Sequence, residues 1–515
     1  MNETNGNAAL YFVDRHADGA PADKAAFLEG ERALSYRQLA EESGRLAGLY
    51  EAHGLQPEDR AAMIVLDTIE FPIIFWGSLK AGIVPAPLNT LLTPENYEAI
   101  LNDSKAKALF VSKELLGGIE PIIARRRSLK AVFVVGESAH RHLSFAKELA
   151  KHAPAPALDV PADQCAFWLY SSGSTGRPKG VRHVHSSLKA TADTYAAQVL
   201  GIHADDVVFS AAKLFFAYGL GNAMTFPMAV GATAALYPGR PTPDKVLDVI
   251  AATRPTIFCG VPTLYASMLA AMGERARAGF DRLRRCISAG EALPAEIGQR
   301  WVKLTGVDIL DGVGSTEMLH IFLSNRPGDV AYGTSGVAVP GYELRLVDEN
   351  GREAAEGEIG ELLVKGASAS DGYWNQREKS RSTFEGHWTR TGDKYERRAD
   401  GRFVYCGRTD DMFKVSGLWV SPFEVEQALI SHPAVLEAAV VSATDENGLE
   451  KPKAYVVLKS KEDAERITAA LKEHVKEKVG KWKYPRWVEI VDELPKTATG
   501  KIQRFKLREK SGAAR

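Results

Sequence analysis

The sequence predicts an α/β protein with a large N-terminal domain of parallel and mixed sheets covered by helices, an antiparallel β patch, and a small mobile α/β domain at the C-terminus. Three observations predict this class. Apolar strand signals alternate with helix signals up to about residue 340, which is typical of a parallel sheet covered on both faces. Short β segments separated by turn dipeptides follow at 341–366. A second, compact mixture of helix and strand signals begins after residue 410.

The N-terminal elements follow one another at short intervals. Ser35-x-x-Gln38 is a capping box ahead of an amphipathic run, and Gly54 stands just past the end of that run. Apolar runs then predict a series of buried strands with a helix between the first two. The strands are expected at 61–66, 83–89, 108–112 and 131–135, and the helix at 70–82.

The C-terminal segment predicts a small domain of its own. Ser421-x-x-Glu424, with Pro422 at the first helical position, predicts a helix to about Ile430. Strands are expected at 437–443 and 453–459, and a later helix has an apolar face at i+4 spacing formed by Ile467, Leu471, Val475 and Val479. Because 515 residues exceed the size at which one hydrophobic core keeps growing, we expect two domains, 1–409 and 410–515.

Composition argues against several classes of protein. The formal charge is -1 at pH 7, so nothing global attracts nucleic acid or an anionic membrane. Four widely spaced cysteines form no disulfide framework, and no signal peptide is apparent at the N-terminus, so we expect a cytoplasmic protein. The uncharged stretch 214–239 is long enough to cross a bilayer, but its glycines and prolines predict short buried elements instead.

The stretch Tyr170–Gly180, YSSGSTGRPKG, follows an apolar strand signal and predicts an anion-binding loop. It fits neither G-x-x-x-x-G-K-[ST] nor G-x-G-x-x-G, which argues against a P-loop NTPase and a dinucleotide-binding dehydrogenase. Glycines let successive N–H groups turn inward, hydroxyls add donors, and a lysine adds a point charge. A flexible linker would need neither the proline nor the lysine. The residues expected to hold phosphates are Ser171, Ser172, Gly173, Ser174, Thr175, Gly176 and Lys179.

Five motifs in a fixed order carry a resemblance to a known family. They are SSGSTGRPKG (171–180), GVGSTE (312–317), TRTGD (389–393), GRTDDMFKVSG (407–417) and PKTATGK (495–501). Together they resemble the signature motifs of the adenylate-forming superfamily, which includes acyl-CoA synthetases, peptide-synthetase adenylation domains and firefly-type luciferases. The resemblance spans nearly the whole chain. It implies that a carboxylate attacks the α-phosphate of ATP and that a thiol then attacks the acyl-adenylate.

The resemblance assigns chemical roles to residues that would mean little alone. Lys501 resembles the lysine that bridges the carboxylate and the α-phosphate during adenylation. Thr316 resembles the residue whose hydroxyl meets the α-phosphate, and Glu317 resembles the carboxylate that holds Mg²⁺. Asp393 resembles the acceptor for the ribose hydroxyls, and Arg408 resembles the cation near the ribose and phosphate.

Two segments resemble those that line the adenine in this family, SAGE at 288–291 and the start of the second motif. Val313 departs from the common pattern, because many relatives carry an aromatic residue beside the base. We therefore expect aliphatic contact with the adenine at that position. The residues expected at the adenine are Ala289, Gly290, Glu291, Asp311 and Gly312.

The C-terminal motifs resemble the moving parts of the family. Asp410 resembles the hinge residue at which the small domain swings between two poses. One pose brings Lys501 to the phosphates. The other removes Lys501 and presents a face on which Gly417 lines the passage for the pantetheine of CoA.

The acyl pocket of this family is built from segments that correspond to 213–221 and 314–322. Their aromatic and small side chains predict a flat slot that suits a small ring and offers no cation for a second acid group. Both segments resemble those of benzoate-CoA ligases of aromatic-degrading bacteria. The predicted lining residues are Phe216, Ala217, Tyr218, Gly314, His320 and Ile321.

The resemblance implies a ligase that uses ATP, Mg²⁺ and CoA to activate a small aromatic carboxylic acid. Benzoate, 2-aminobenzoate, hydroxybenzoates and fluorobenzoates all stay open as substrates, and His320 either orients a ring substituent or packs against the ring. The alternative within the family is a ligase for cyclohexane carboxylate or a medium-chain acid. The alternative from another class is a non-catalytic nucleotide-binding relative. We expect no nucleic acid or membrane partner, and association into a homodimer is left open.

Overall fold

A nine-stranded sheet forms the centre of the N-terminal part. The computed structural model of the chain describes residues 5–19, 21–136, 141–172, 178–273, 278–415, 418–446, 448–460, 464–480, 482–496 and 502–511. Six neighbouring strands of the sheet run parallel, and the strands at both edges are antiparallel. In spatial order the strands are Val337–Ala338, Ile321–Ser324, Ile309–Gly314, Arg285–Ser288, Ile257–Gly260, Val207–Ser210, Thr233–Leu236, Ala25–Glu29 and Arg32–Ser35.

A second, five-stranded sheet is parallel throughout. Its central strands Arg60–Ile64 and Ala108–Ser112 are buried except for Arg60, as near-continuous apolar runs predict for a sheet with helices on both faces. The four strands predicted from the first 140 residues are confirmed here with small shifts of their ends. In spatial order the strands are Val84–Pro87, Arg60–Ile64, Ala108–Ser112, Ala131–Val135 and Leu143–Ser144.

Antiparallel strands form the remaining sheets of the N-terminal part. Cys165–Ser172 pairs with Pro178–Val184 across the predicted anion-binding loop, and Gly372–Tyr373 pairs with the other edge of Pro178–Val184. We call the first two strands the phosphate-loop hairpin. The antiparallel patch predicted after residue 340 is confirmed as a five-stranded sheet of Glu343–Val347, Ile359–Lys365, Phe384–Glu385, Trp388–Arg397 and Phe403–Arg408.

The C-terminal part has its own small hydrophobic clusters. Ile467, Leu471 and Val475 are buried on one helix face, as their spacing predicts, and Val479 is partly buried. A hairpin of Phe413–Val415 and Leu418–Val420 precedes a mixed sheet of Val435–Thr444, Glu450–Leu458 and Trp487–Ile490.

Helices cover both faces of the sheets and fill the connections. Within the described parts of the chain, three helical segments are not α-helical: Asp14–His16 is a 3₁₀ turn, and Ala192–Leu200 and Gly221–Thr225 are π-helical. The α-helices are Ala8–Phe12, Tyr36–Gly44, Leu46–Ala52, Glu70–Lys80, Pro94–Ser104, Lys113–Ile123, Phe145–Leu149, His185–Thr191, Ala217–Leu220, Phe226–Val230, Pro243–Thr253, Pro262–Met272, Ala295–Thr305, Arg377–Thr383, Pro422–Ile430, Ala464–Val479 and Arg504–Lys510.

The apolar stretch 214–239 is broken into short pieces, as its glycines and prolines predict. It contains Ala217–Leu220, Gly221–Thr225, Phe226–Val230 and the strand Thr233–Leu236. Among the described residues, no helix is both long enough and apolar enough to span a bilayer.

The first predicted capping box is confirmed, but its helix is shorter than expected. The Ser35 hydroxyl accepts from the Gln38 N–H at 3.2 Å, and the Gln38 side chain accepts from the Ser35 N–H at 2.9 Å. The single run expected up to Gly54 is two helices, because the Gly44 carbonyl accepts a hydrogen bond from the Ala155 N–H at 3.0 Å. A tertiary partner therefore interrupts the helical ladder there.

Only half of the second predicted capping box forms. The Ser421 hydroxyl accepts from the Glu424 N–H at 3.0 Å and so caps the helix Pro422–Ile430. The Glu424 carboxylate pairs with Lys483 instead of returning to the cap. A long-range ion pair has replaced the local hydrogen bond.

Candidate active site

The phosphate-loop hairpin places the first predicted site residues at one end of the site. Ser171 lies opposite Lys179, and Ser172 lies opposite Pro178. The Ser171 hydroxyl oxygen is buried and makes no hydrogen bond with a described residue. The residues predicted at the turn itself, Gly173, Ser174, Thr175 and Gly176, lie outside the described residues.

Lys179 and Glu317 form an ion pair beside this hairpin. The Lys179 Nζ lies 3.0 Å from the Glu317 Oε1, and the side chains are only 14% and 15% exposed. The Tyr373 hydroxyl joins them, because it accepts from Lys179 at 2.9 Å and donates to the same Glu317 oxygen at 2.7 Å. A cation and a carboxylate predicted from separate motifs therefore meet in one buried cluster.

Glu317 is held in its charged form. Burial alone would raise the pKa of this carboxyl, but Lys179 and the Tyr373 hydroxyl outweigh burial and lower the pKa below its usual value. The backbone is held as well, because the Ser370 N–H donates to the Glu317 carbonyl at 2.7 Å. The site thus presents an oriented carboxylate, which is the kind of group that contributes an oxygen ligand to Mg²⁺.

Thr316 is positioned by a histidine that sequence reasoning missed. The His183 Nε2 lies 2.8 Å from the Thr316 carbonyl and must be its donor, since a carbonyl oxygen only accepts. Burial lowers the pKa of His183 to about 4, so the ring is neutral at pH 7. His183 also stacks on Phe167 of the hairpin, with ring centroids 5.1 Å apart. One neutral ring therefore joins the hairpin to the Thr-Glu pair.

Asp393 and Arg408 meet on neighbouring strands of the antiparallel sheet. They are direct partners in the register, and the Arg408 Nη1 lies 2.9 Å from the Asp393 Oδ1. The carboxylate of Asp393 raises the pKa of Arg408, so the guanidinium stays charged. The structure brings these two residues together as expected, although their motifs are separated in the sequence.

The residues expected at the adenine meet at the ends of two parallel strands. Ala289, Gly290 and Glu291 follow the strand Arg285–Ser288, and Ser288 is the register partner of Asp311. Burial raises the pKa of Asp311 to about 8, although a hydrogen bond from the Leu293 N–H, at 3.3 Å, acts to lower it. Gly312 is buried beside it. Val313 is half-buried and packs on the main core.

Among the predicted acyl-pocket residues, Tyr218 lies beside His320. Ala217 and Tyr218 are half-buried, and the Tyr218 ring lies 5.8 Å from the His320 ring between centroids. The Tyr218 hydroxyl is committed to the carbonyls of Gly260 and Ile287, each at 3.1 Å. The other predicted lining residues are half-buried Phe216 and Gly314 and fully buried Ile321.

His320 is held by residues that the sequence did not reveal. Its ring lies 4.4 Å from Phe226 and 5.1 Å from Tyr195, measured between centroids. Gly221, in a π-helical turn, comes so close that an added Cβ would lie 2.8 Å from the His320 Nε2. Burial lowers the pKa of His320 to about 3, against a hydrogen bond with the Tyr218 backbone, so the ring is neutral at pH 7. The predicted pocket segment therefore carries a neutral, polar ring that is packed between aromatic side chains.

Three predictions concern the C-terminal motifs. Lys501 and Gly417 lie outside the described residues. Asp410 lies in the turn between the strands Phe403–Arg408 and Phe413–Val415. Its neighbour Asp411 accepts a hydrogen bond from Arg508 of the last helix.

Comparison with known proteins agrees with this geometry. The AMP-binding enzyme family matches residues 13–374, and the AMP-binding enzyme C-terminal domain matches residues 424–501. The chain is 54% identical to a 4-hydroxybenzoate-CoA/benzoate-CoA ligase of Rhodopseudomonas palustris, over 98% of this chain and 94% of the relative. It is 53% identical to a benzoate-CoA ligase of Thauera aromatica, over 98% and 95%.

Solved structures give the same result. A benzoate CoA ligase from Burkholderia xenovorans superposes with a TM-score of 0.90 at 48% identity, over 98% of this chain and 99% of that chain. An anthranilate CoA ligase in complex with anthranoyl-AMP superposes with a TM-score of 0.93 at 41% identity, over 99% and 98%. The family predicted from five short motifs is thereby confirmed: this chain belongs to the AMP-binding enzyme family.

Proposed function

We propose that this chain joins a small aromatic carboxylic acid to CoA, with ATP cleaved to AMP and pyrophosphate through an aryl-adenylate. The buried cluster of Lys179 and Glu317 at the end of the phosphate-loop hairpin carries the proposal. Its geometry supplies what the reaction needs, a cation and an oriented carboxylate side by side. The near full-length similarity to benzoate-CoA ligases supports the choice of acid.

The first half-reaction brings two anions together, a carboxylate and the triphosphate. Lys179 offsets the phosphate charge, and Arg408 and Asp393 hold the ribose end. In this proposal Lys501 reaches the α-phosphate and the attacking carboxylate together. The protein thus contributes position and positive charge, while ATP supplies the leaving group.

The residues present fit Mg²⁺. Across the described parts of the chain, no cluster of three or more His, Cys, Asp or Glu side chains is arranged to hold a metal by itself. Mg²⁺ in phosphate-transfer sites usually takes one or two carboxylates, and phosphate oxygens and waters complete its shell. Glu317 is the carboxylate that would hold it. When bound, the ion neutralises charge on the departing pyrophosphate.

The second half-reaction requires a different arrangement of the C-terminal domain. We propose that residues 410–515 turn about Asp410, so that Lys501 leaves the phosphates and Gly417 lines the path of the CoA thiol. The family match divides in the same region, since its two parts end at 374 and begin at 424. We propose that the reaction takes place in the cytoplasm, in keeping with four free thiols at Cys165, Cys259, Cys286 and Cys406.

The acid is benzoate or a substituted benzoate. Its ring would lie against Ala217, Tyr218 and His320, where a neutral imidazole offers a hydrogen bond to a ring hydroxyl or amino group. Relatives at 54% and 35% identity are a 4-hydroxybenzoate-CoA/benzoate-CoA ligase and an anthranilate-CoA ligase. We therefore expect relaxed selection among small aryl acids, because one methyl-sized change discriminates by about 1–3 kcal/mol.

The test is benzoate-dependent exchange of labelled pyrophosphate into ATP in the absence of CoA, followed by CoA-thioester formation with a panel of acids. We expect exchange with benzoate before CoA is added, and thioesters of benzoate and its amino, hydroxy and fluoro derivatives. A preference for cyclohexane carboxylate or a medium-chain acid would favour the alternative ligase. Nucleotide binding with no exchange for any acid would identify a non-catalytic relative.

A further inference from the structure

Tyr373 lies at the centre of the charged cluster, and none of the five motifs contains it. It belongs to the two-residue strand Gly372–Tyr373, which pairs with Pro178–Val184 just after the predicted anion-binding loop. Its hydroxyl lies within 3.0 Å of two functional groups, the Lys179 Nζ and the Glu317 Oε1. The residue is 5% exposed.

The direction of both hydrogen bonds is fixed by chemistry. An ammonium group only donates, and a charged carboxylate only accepts. The two distances, 2.9 Å to the lysine and 2.7 Å to the carboxylate, fit one phenol that keeps its proton. Tyr373 therefore accepts from Lys179 with a lone pair and donates its proton to Glu317.

Tyr373 is itself firmly positioned. Its N–H donates to the Ser380 hydroxyl at 3.0 Å, and the next residue, Trp374, donates its N–H to the Gly180 carbonyl at 2.8 Å. The Trp374 indole also packs against Trp168 of the hairpin, with centroids 4.8 Å apart. The Tyr373 side chain is consequently held in place, and Lys179 and Glu317 both form hydrogen bonds with its hydroxyl.

Binding of a nucleotide has to separate Lys179 from Glu317, if the lysine is to meet phosphate and the carboxylate is to meet the metal. Separation of a buried ion pair is unfavourable when it leaves a charge without a partner. We infer that Tyr373 is a positioning residue for adenylation, which keeps Glu317 oriented and hydrogen-bonded while Lys179 moves to the phosphates of ATP. This inference rests on the proposed function, but its central measurement needs no acid substrate.

The experiment compares Tyr373→Phe with the unchanged enzyme by titration calorimetry of ATP, with and without Mg²⁺, and of AMP. Loss of one hydrogen bond to a charged group corresponds to about a 10-fold to 100-fold change in affinity. We expect the variant to bind ATP with Mg²⁺ at least about tenfold more weakly. AMP, which lacks the β- and γ-phosphates, should bind with unchanged affinity. Equal or tighter binding of ATP with Mg²⁺ would overturn the inference, as would an equal loss for AMP.

Kinetics give a second, independent measurement. In Tyr373→Phe the KM for ATP in pyrophosphate exchange should rise about tenfold. Thioester formation from supplied benzoyl-adenylate and CoA should be unaffected, which also shows that the variant is folded. Tyr36→Phe is the matched control, because it removes another buried hydroxyl, which donates at 2.6 Å to the Ala232 carbonyl and not to a member of the cluster. If the unchanged enzyme shows no exchange, the proposed function fails, while the calorimetry still tests Tyr373.

Discussion

At the scale of single residues, the shape of the proposed acyl pocket depends on a glycine. Gly221 lies against the edge of His320, and Phe226 and Tyr195 pack on the same ring. The histidine ring is therefore in contact with neighbours on several sides. Its position in the proposed acyl slot requires the absence of a side chain at Gly221.

Gly221→Ala should consequently impair recognition of the aryl acid. The added Cβ would lie 2.8 Å from the His320 Nε2 and closer still to its Cδ2, so the ring must shift. Overpacking of this kind costs about 1–3 kcal/mol, which corresponds to roughly a 5-fold to 150-fold rise in the KM for benzoate. ATP affinity should not change. Gly118→Ala is the control, because a Cβ at that helical glycine meets nothing within 4 Å. Unchanged benzoate kinetics in Gly221→Ala would show that the ring binds elsewhere.

Asp311 gives a pH dependence with a definite sign. Burial raises its pKa from 3.8 to about 8, so the folded protein keeps a proton that the unfolded chain releases above about pH 4. The contribution of this group to stability is therefore complete below pH 4 and is lost as pH rises towards 8, by up to about 1.4 kcal/mol for each pH unit.

Asp311→Asn should remove this dependence, because an amide of the same shape does not ionise. We expect the thermal midpoint of the variant, relative to the unchanged protein, to increase from pH 5 to pH 8 when both are measured without nucleotide. The comparison within one pair of proteins cancels the many other groups that titrate in this range. Parallel curves for the two proteins would mean that Asp311 is already ionised in the fold.

Sequence reasoning found the charged residues of the site but not the neutral ones that hold them. Lys179 stands in a loop of unusual composition, and Glu317, Asp393 and Arg408 stand in motifs that resemble those of a known family. His183 and Tyr373 stand in none of the five motifs, and a single histidine or tyrosine in a strand is usually part of the core. Their roles depend on contacts between distant segments, and a single sequence carries no signal for those.

At the scale of elements, the sequence predicted the helices and strands that are determined by interactions between residues close together in the chain. The four strands of the parallel sheet and the first capping box follow from hydrophobic runs and one local hydrogen-bond pattern. The break between Gly44 and Leu46 could not be predicted in this way, since it depends on the Ala155 N–H more than a hundred positions away. The short strand Gly372–Tyr373 was missed for the same reason. A strand of two residues is too short to show a hydrophobic periodicity in the sequence. Gly372 and Tyr373 form a strand only because they pair with the edge of the phosphate-loop hairpin.

At the scale of the whole molecule, buried charge links the ends of the C-terminal part. The Glu426 carboxylate, 3% exposed, accepts hydrogen bonds from Arg504 at 2.7 and 2.9 Å and from the Val440 N–H at 2.8 Å. Arg504 also lies 3.8 Å from Asp411, next to the proposed hinge residue. The helix Arg504–Lys510, which follows the last of the five motifs, is thus linked by charge to the turn that contains the proposed hinge residue. This arrangement supports a C-terminal domain that turns as one body.

If the C-terminal domain turns about a hinge, Lys501 should serve adenylation but not thioester formation. Lys501→Ala should lower benzoate-dependent pyrophosphate exchange by about 100-fold to 1,000-fold, because it removes a cation from a site where two anions must meet. Thioester formation from supplied benzoyl-adenylate should stay within about threefold, since in the proposed mechanism that reaction takes place with the lysine withdrawn. Lys506→Ala removes an exposed cation from the nearby helix Arg504–Lys510 and should change neither rate. Equal losses in both half-reactions of Lys501→Ala would mean that the lysine acts in a single, fixed arrangement of the domains.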